Sequence, residues 1–145
     1  MATGPSEAAI LDLMCAYCDT IDSGDLAGCA ALFSQGAWGI VGDLAHGSAA
    51  VMAQLDNVTL YEGVPLTRHL MSNVNITVAA NQDSATASSC ITVMQGVSGQ
   101  FPLQAIFIGS YADTFVCIDE QWMFKERAIT PNLVGDMAFH RSDMA

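Results

Sequence analysis

Residues 69–97 read HLMSNVNITVAANQDSATASSCITVMQGV, and this stretch separates a helical N-terminal part from a β-rich remainder. Its two halves, 69–79 and 84–97, are rich in Val, Ile and Thr, and ANQD between them is turn chemistry. Two further runs come next, LQAIFIGSYADTFVCID (103–119) and EQWMFKERAIT (120–130), set off by GVSGQFP and by DE. In the first of them Ile106, Ile108, Ser110 and Ala112 fall on one face, and Phe107, Gly109, Tyr111 and Asp113 on the other. From about Arg68 onward the pattern predicts an antiparallel meander.

Upstream the period changes. Between Glu7 and Ile21 the apolar residues Ile10, Leu13, Met14, Tyr17, Cys18 and Ile21 fall at helical spacing. DSGD interrupts this helix; Asp22 or Ser23 can cap the next one, and DLAGCAALF reads as that short second helix. Asp25 reads as a first-turn acid, and Asp19 falls on the exposed side of the stripe. AWGIVGD reads as a strand, and HGSAAVMAQLDN as a third helix after a loop at Gly47. Helices first and then a meander describe an α+β domain. The expected packing is a cone-shaped α+β barrel, a curved and mainly antiparallel sheet wrapped around the N-terminal helices, with a cavity between them. Residues 1–145 form a single domain in this reading, with a tail at 132–145 placed to cover the cavity.

Composition narrows the function. The chain has 145 residues, 52% of them hydrophobic and 13% charged, with a net charge of −11. Its basic residues are Arg68, Lys125, Arg127 and Arg141. Phosphate contacts need Lys and Arg, so nucleic acid is excluded as a partner, and anionic membranes with it. No apolar run reaches the roughly 18 residues of a membrane span, and MATGPSEAAI has no basic leader, which points to the cytoplasm. The five cysteines are an odd number, with CAYC (15–18) in a helical pattern lacking a second pair or a nearby His. Reduced packing thiols are expected, and no metal site.

One set of residues carries a resemblance. In order come Tyr17-x-x-x-Ile21-Asp22-x-Gly24-Asp25, then Ala31-Leu32-Phe33, a strand with Trp38, a Gly before a helix, Arg68-His69 opening a strand, Gly109-x-Tyr111-x-Asp113, and Asp119-x-x-Trp122-x-Phe124. From about Glu7 to Ile129 this resembles the SnoaL-like branch of the nuclear transport factor 2-like superfamily. Within it the chain is most similar to scytalone dehydratases and hexachlorocyclohexane dehydrochlorinases. Both use an Asp–His dyad, whose positions are filled here by Asp22 and His69. The resemblance implies that His69 is a general base, oriented by Asp22, that removes a proton next to an activating group. It also places Tyr111 at a substrate, with Tyr17 one turn before Asp22 facing the same cavity. Trp38, Asn73, Met94 and Phe124 are further substrate-binding candidates, Trp38 and Phe124 as core or pocket wall. Tyr111 falls where scytalone dehydratases hold substrate with an asparagine. Asn73 and Asn75 give their strand a polar face, either cavity-lining or solvated.

The chain also departs from both enzymes. Ile21 stands where the dehydratases have Tyr. Met94 and Gln95 occupy the strand of their second histidine. Tyr17 replaces the dehydrochlorinase lysine, and its arginine, expected near Cys117, is missing. The implied activity is a cofactor-independent lyase of dehydratase type on a small hydrophobic carbonyl or polyketide-like substrate. Alternatives are an isomerase or aldol cyclase using Asp113, and a non-catalytic ligand-binding module. The apolar excess, with apolar residues on both strand faces, predicts a homo-oligomer. The resemblance favours a trimer over a dimer.

Overall fold

The computed structural model describes residues 4–145. In chain order the elements are α1 Pro5–Ser23, α2 Leu26–Ala31, β1 Ala37–Ile40, β2 Asp43–His46, α3 Gly47–Leu55, β3 Thr67–Val78, β4 Ser84–Val97, β5 Phe101–Ile118 and β6 Gln121–Val134. A 3₁₀ turn at Ser142–Met144 completes the chain. The strands form one unclosed sheet in the order β2-β1-β6-β5-β4-β3. Among the described residues only β1 and β6 run parallel; the other neighbouring strands are antiparallel. The α+β expectation holds, as a curved open sheet with the helices on its concave face.

α1 forms because Pro5 suits the first helical turn and because Ile10, Met14, Tyr17, Cys18 and Ile21 bury one continuous stripe. It packs on β3 and β6. It stops at Gly24, whose φ of +83° is left-handed. The Gly24 amide donates to the Ile21 carbonyl at 3.2 Å, and the Asp25 amide to Thr20 at 2.9 Å. Asp25 then caps α2, its carboxylate accepting from the Gly28 amide at 2.9 Å. The cap is therefore neither Asp22 nor Ser23. Because Gly24 ends α1, Asp22 stays within its last turn and its carboxylate is free for another partner.

AWGIVGD is not a single strand. Gly42, at φ +87°, turns it back, so that Ala37–Ile40 pairs with Asp43–His46 in a hairpin. α3 begins directly at Gly47, with His46 exposed at its N-cap. The long strands keep the expected bounds closely, and the β5–β6 turn rests on Asp119 and Glu120, both at positive φ. β6 continues through Pro131 to Val134. Residues 132–134 of the expected tail thus belong to the sheet, and the returning segment starts at Gly135.

Along β4 burial alternates strictly, with Ala85, Ala87, Ser89, Ile91, Val93, Gln95 and Val97 inward. Tyr111, Asp113 and Phe115 of β5 and Phe124 and Arg127 of β6 complete the concave face, all buried. The hollow expected between sheet and helices is thus filled largely by side chains of its own lining.

Candidate active site

Asp22, on the last turn of α1, meets the first residues of β3. Its Oδ1 lies 2.6 Å from His69 Nδ1 and accepts from the Thr67 hydroxyl at 2.8 Å. Its Oδ2 accepts from the His69 backbone amide at 2.7 Å. Thr67 and His69 alternate on the inner face of β3, so one short stretch of strand holds the carboxylate by three hydrogen bonds. With Nδ1 donating, the lone pair of His69 lies on Nε2. The side chains are 6% exposed for His69 and 9% for Asp22. Burial alone would raise the Asp22 pKa. The hydrogen bonds and charge of His69, with the Thr67 hydroxyl, outweigh it and hold the carboxyl below its usual value.

Tyr17 lies beside the dyad, its ring edge-on to His69 at 6.1 Å between centroids and to Tyr111 at 5.8 Å. Trp38 Nε1–H donates to the Tyr17 hydroxyl at 3.0 Å. Phe124 is wholly buried in the floor between Phe33 and Phe115. Burial pushes up the phenols of Tyr17 and Tyr111, which therefore stay neutral. Tyr17 thus adjoins His69, and Tyr111, Trp38 and, through Phe33, Phe124 gather around Tyr17.

Asn73 and Met94 do not. Asn73 sits exposed on a β-bulge of β3, at φ +53°, where the register shifts between Ser72 and Asn75. Met94 alternates with buried Val93 and Gln95 and therefore points to the outer face. Gln95 is the inward residue at this level, donating from Nε2 to the carbonyls of Pro65 at 3.1 Å and Phe139 at 3.0 Å.

Arg127 is the largest addition. Its Nε and Nη2 each donate at 2.8 Å to the two oxygens of Asp113, with both side chains 0% exposed. The guanidinium lies 3.9 Å from the Tyr111 ring centroid, 4.4 Å from that of Tyr17 and 4.9 Å from that of Phe124. The interior therefore contains a cation, for which the sequence analysis named no candidate. The register explains the miss. Phe115 faces Phe124, but Thr114 faces Glu126, so Lys125 is an extra residue that reverses the parity of β6. Simple alternation from Phe124 turns Arg127 outward; the bulge turns it in.

His140 returns on the C-terminal segment to within 6.5 Å of His69 between ring centroids and is 7% exposed. Burial first, then the neighbouring His69 and Arg141, lower its pKa to about 4. Among the described residues Ser89 Oγ, Gln95 Oε1, Arg127 Nη1 and His140 Nδ1 are buried without a hydrogen-bond partner. A depression of about 450 Å³ is lined by residues 96–103. A second, of about 320 Å³, includes Thr77, Phe115 and Lys125. Neither contains Asp22 or His69. The two cysteines of CAYC part company, Cys15 exposed and Cys18 buried. His46 lies exposed and away from the dyad.

Among solved structures, the chain is 26% identical to a candidate scytalone dehydratase from Novosphingobium aromaticivorans, covering 89% of this chain and 85% of that one with a TM-score of 0.73. It is 25% identical to an NTF2-like protein with a cystatin-like fold from the same organism, covering 86% and 80% with a TM-score of 0.70. LinA shares the fold at 18% identity, covering 90% and 88% with a TM-score of 0.73. No curated protein matches the chain. The profile of the SnoaL-like domain matches residues 3–128; the chain belongs to the SnoaL-like domain family.

Proposed function

We propose that the protein is a cofactor-independent lyase that removes water from a small hydrophobic β-hydroxycarbonyl compound, with His69 as base and Asp22 as its orienting partner. The observation that carries this reading is the 2.6 Å contact between Asp22 Oδ1 and His69 Nδ1. It leaves Nε2 with a lone pair and fixes the ring. In the proposed step Nε2 takes the proton on the carbon next to the carbonyl. The electron pair of that C–H bond moves toward the carbonyl oxygen. It then returns to form the C=C bond as the β-carbon–oxygen bond breaks. The His69 imidazolium, stabilised by Asp22, gives its proton to the departing oxygen, which leaves as water. Base and acid are the same ring, and the protein ends unchanged. Similarity to a candidate scytalone dehydratase supports a small-molecule substrate.

Asp113 is a poorer base. Arg127 occupies both of its oxygens and it is fully buried, which disfavours the isomerase or cyclase alternative.

The test is turnover of β-hydroxytetralone, whose dehydration yields fluorescent naphthol. His69→Gln should stay folded and lose roughly 10²- to 10⁴-fold in kcat. Asp22→Asn should lose nearly as much, and the double variant little more than either. Near-full turnover by His69→Gln, with loss in Asp113→Asn, would replace this assignment by the strand carboxylate.

A further inference from the structure

The segment after β6 is tied down closely. The Phe139 carbonyl accepts from the Tyr61 hydroxyl at 2.6 Å and from Gln95 Nε2–H at 3.0 Å. The His140 carbonyl accepts from the Thr59 amide at 2.8 Å, and the Ser142 amide donates to the Asn57 carbonyl at 2.8 Å. The Phe139 ring stacks on Phe101 at 4.6 Å. This anchoring holds one imidazole, that of His140, beside the catalytic one. Yet within so well bonded a segment His140 Nδ1 is buried with no partner, and so is Oε1 of the Gln95 that anchors it. A buried polar atom without a partner costs about 1–3 kcal/mol. At His140 the cost is accounted for if a ligand acceptor supplies the missing bond.

We propose that His140 is a substrate-contacting residue of the dyad's site, its imidazole N–H donating a hydrogen bond to the substrate's carbonyl oxygen. The inference rests on the dyad reading above. The ring centroids of His69 and His140 are 6.5 Å apart and their planes are inclined by 65°. A carbonyl oxygen and the carbon bearing the proton to be removed are only two bonds apart, so a single substrate unit spans the two rings. Negative charge grows on that oxygen as His69 removes the proton, and a preplaced donor stabilises it. His140 transfers no proton. The groups facing it are His69, Arg141 and Asp22, and burial with the first two keeps the ring neutral. A neutral imidazole donates a hydrogen bond but is far too weak an acid to release its proton. The substrate class is that of the reaction proposed above, and the inference adds the group that receives its carbonyl oxygen.

The probe is para-nitrophenol, whose phenolate imitates the enolate oxygen and whose visible absorption reports ionisation on binding. In the full-length protein labelled with ¹⁵N-histidine, saturation with the probe is expected to move the ring resonances of His140. His140→Phe should bind the phenolate about 10- to 100-fold more weakly, the loss of one hydrogen bond to a charged group. His140→Gln, which keeps an N–H donor, should retain most of the affinity. Unmoved His140 resonances in the wild-type protein with probe bound would overturn the proposal. So would wild-type affinity in His140→Phe, or no binding of the phenolate by the wild type. Failure of the dyad is read separately, as unchanged turnover of β-hydroxytetralone by His69→Gln.

Discussion

At the residue scale the interior is dominated by an ion pair that sequence spacing does not reveal. Arg127 and Asp113 are both 0% exposed and joined by two bonds of 2.8 Å. Two charges taken out of water lose several kcal/mol of hydration each, and their attraction repays it only while both are present. Arg127→Met alone should therefore cost about 3–5 kcal/mol in unfolding free energy, measured by urea titration. Arg127→Met combined with Asp113→Leu should recover most of that loss. A double variant as unstable as the single one would mean that the aromatic cage, not the charge pair, holds this part together. The pairing of Asp22 with His69 was implied by the family resemblance, since spacing alone left Asp22 as a candidate helix cap. The structure brings the two within 2.6 Å because one lies in the last turn of α1 and the other near the start of β3. Arg127 was hidden by the extra residue at Lys125, and Asn73 by the bulge beside it. A single inserted residue reverses every side chain beyond it, and nothing in the residue types of 121–127 marks where it falls.

At the element scale, the dyad depends on how α1 ends. A Cβ at Gly24 would run into the Gly63 carbonyl oxygen, and the residue's φ of +83° is already unfavourable for a side chain. Gly24→Ala should cost more than about 2 kcal/mol, since the left-handed conformation alone costs roughly 1–2 kcal/mol. It should also displace Asp22 from His69. A thermal melt reads the first effect and loss of the downfield His69 Nδ1 proton resonance the second. The C-terminal segment makes a pH prediction. His140 has its folded pKa lowered to about 4 from 6.5, so between these values the unfolded chain binds more protons than the folded one. Stability therefore rises with pH across that window and is lost as pH falls from about 6.5 to 4, by on the order of 3 kcal/mol for this group. Asp22, lowered below 3.8, adds a loss in the same direction only at still lower pH. His140→Gln should flatten the upper part of that dependence in urea titrations at stepped pH. An unchanged slope would assign the effect to other groups. The strands themselves were readable because turn residues bracket each run. The β1–β2 hairpin was not, because AWGIVGD is an almost unbroken apolar run in which Gly42 is the one sign of reversal.

At the scale of the whole molecule, the outer face of the sheet is out of keeping with the rest of the chain. Across the strands the register aligns Leu70, Thr92, Ile108 and Leu133 in one row. Its flanking rows are Arg68, Met94 and Ala105, and Ser72, Cys90, Ser110 and Thr130. These three rows hold a single charge, Arg68, although the chain carries 15 acids. Leu70 is 48% exposed and Leu133 66% exposed. A chain with net charge −11 repels its own copies wherever its acids face one another. Two copies joined through this face would avoid that repulsion and remove the exposed leucines from water. A second copy is thus the expected occupant, in a trimer or a dimer. Light scattering at micromolar concentration should give a mass of two or three chains. Leu133→Glu, which places an acid in the central row, should shift the protein toward monomer. Its far-ultraviolet circular dichroism should stay unchanged, because the side chain makes no part of the core. A wild-type monomer at that concentration would remove the second copy as occupant. A Leu133→Glu variant that keeps the wild-type mass would move the interface to another surface.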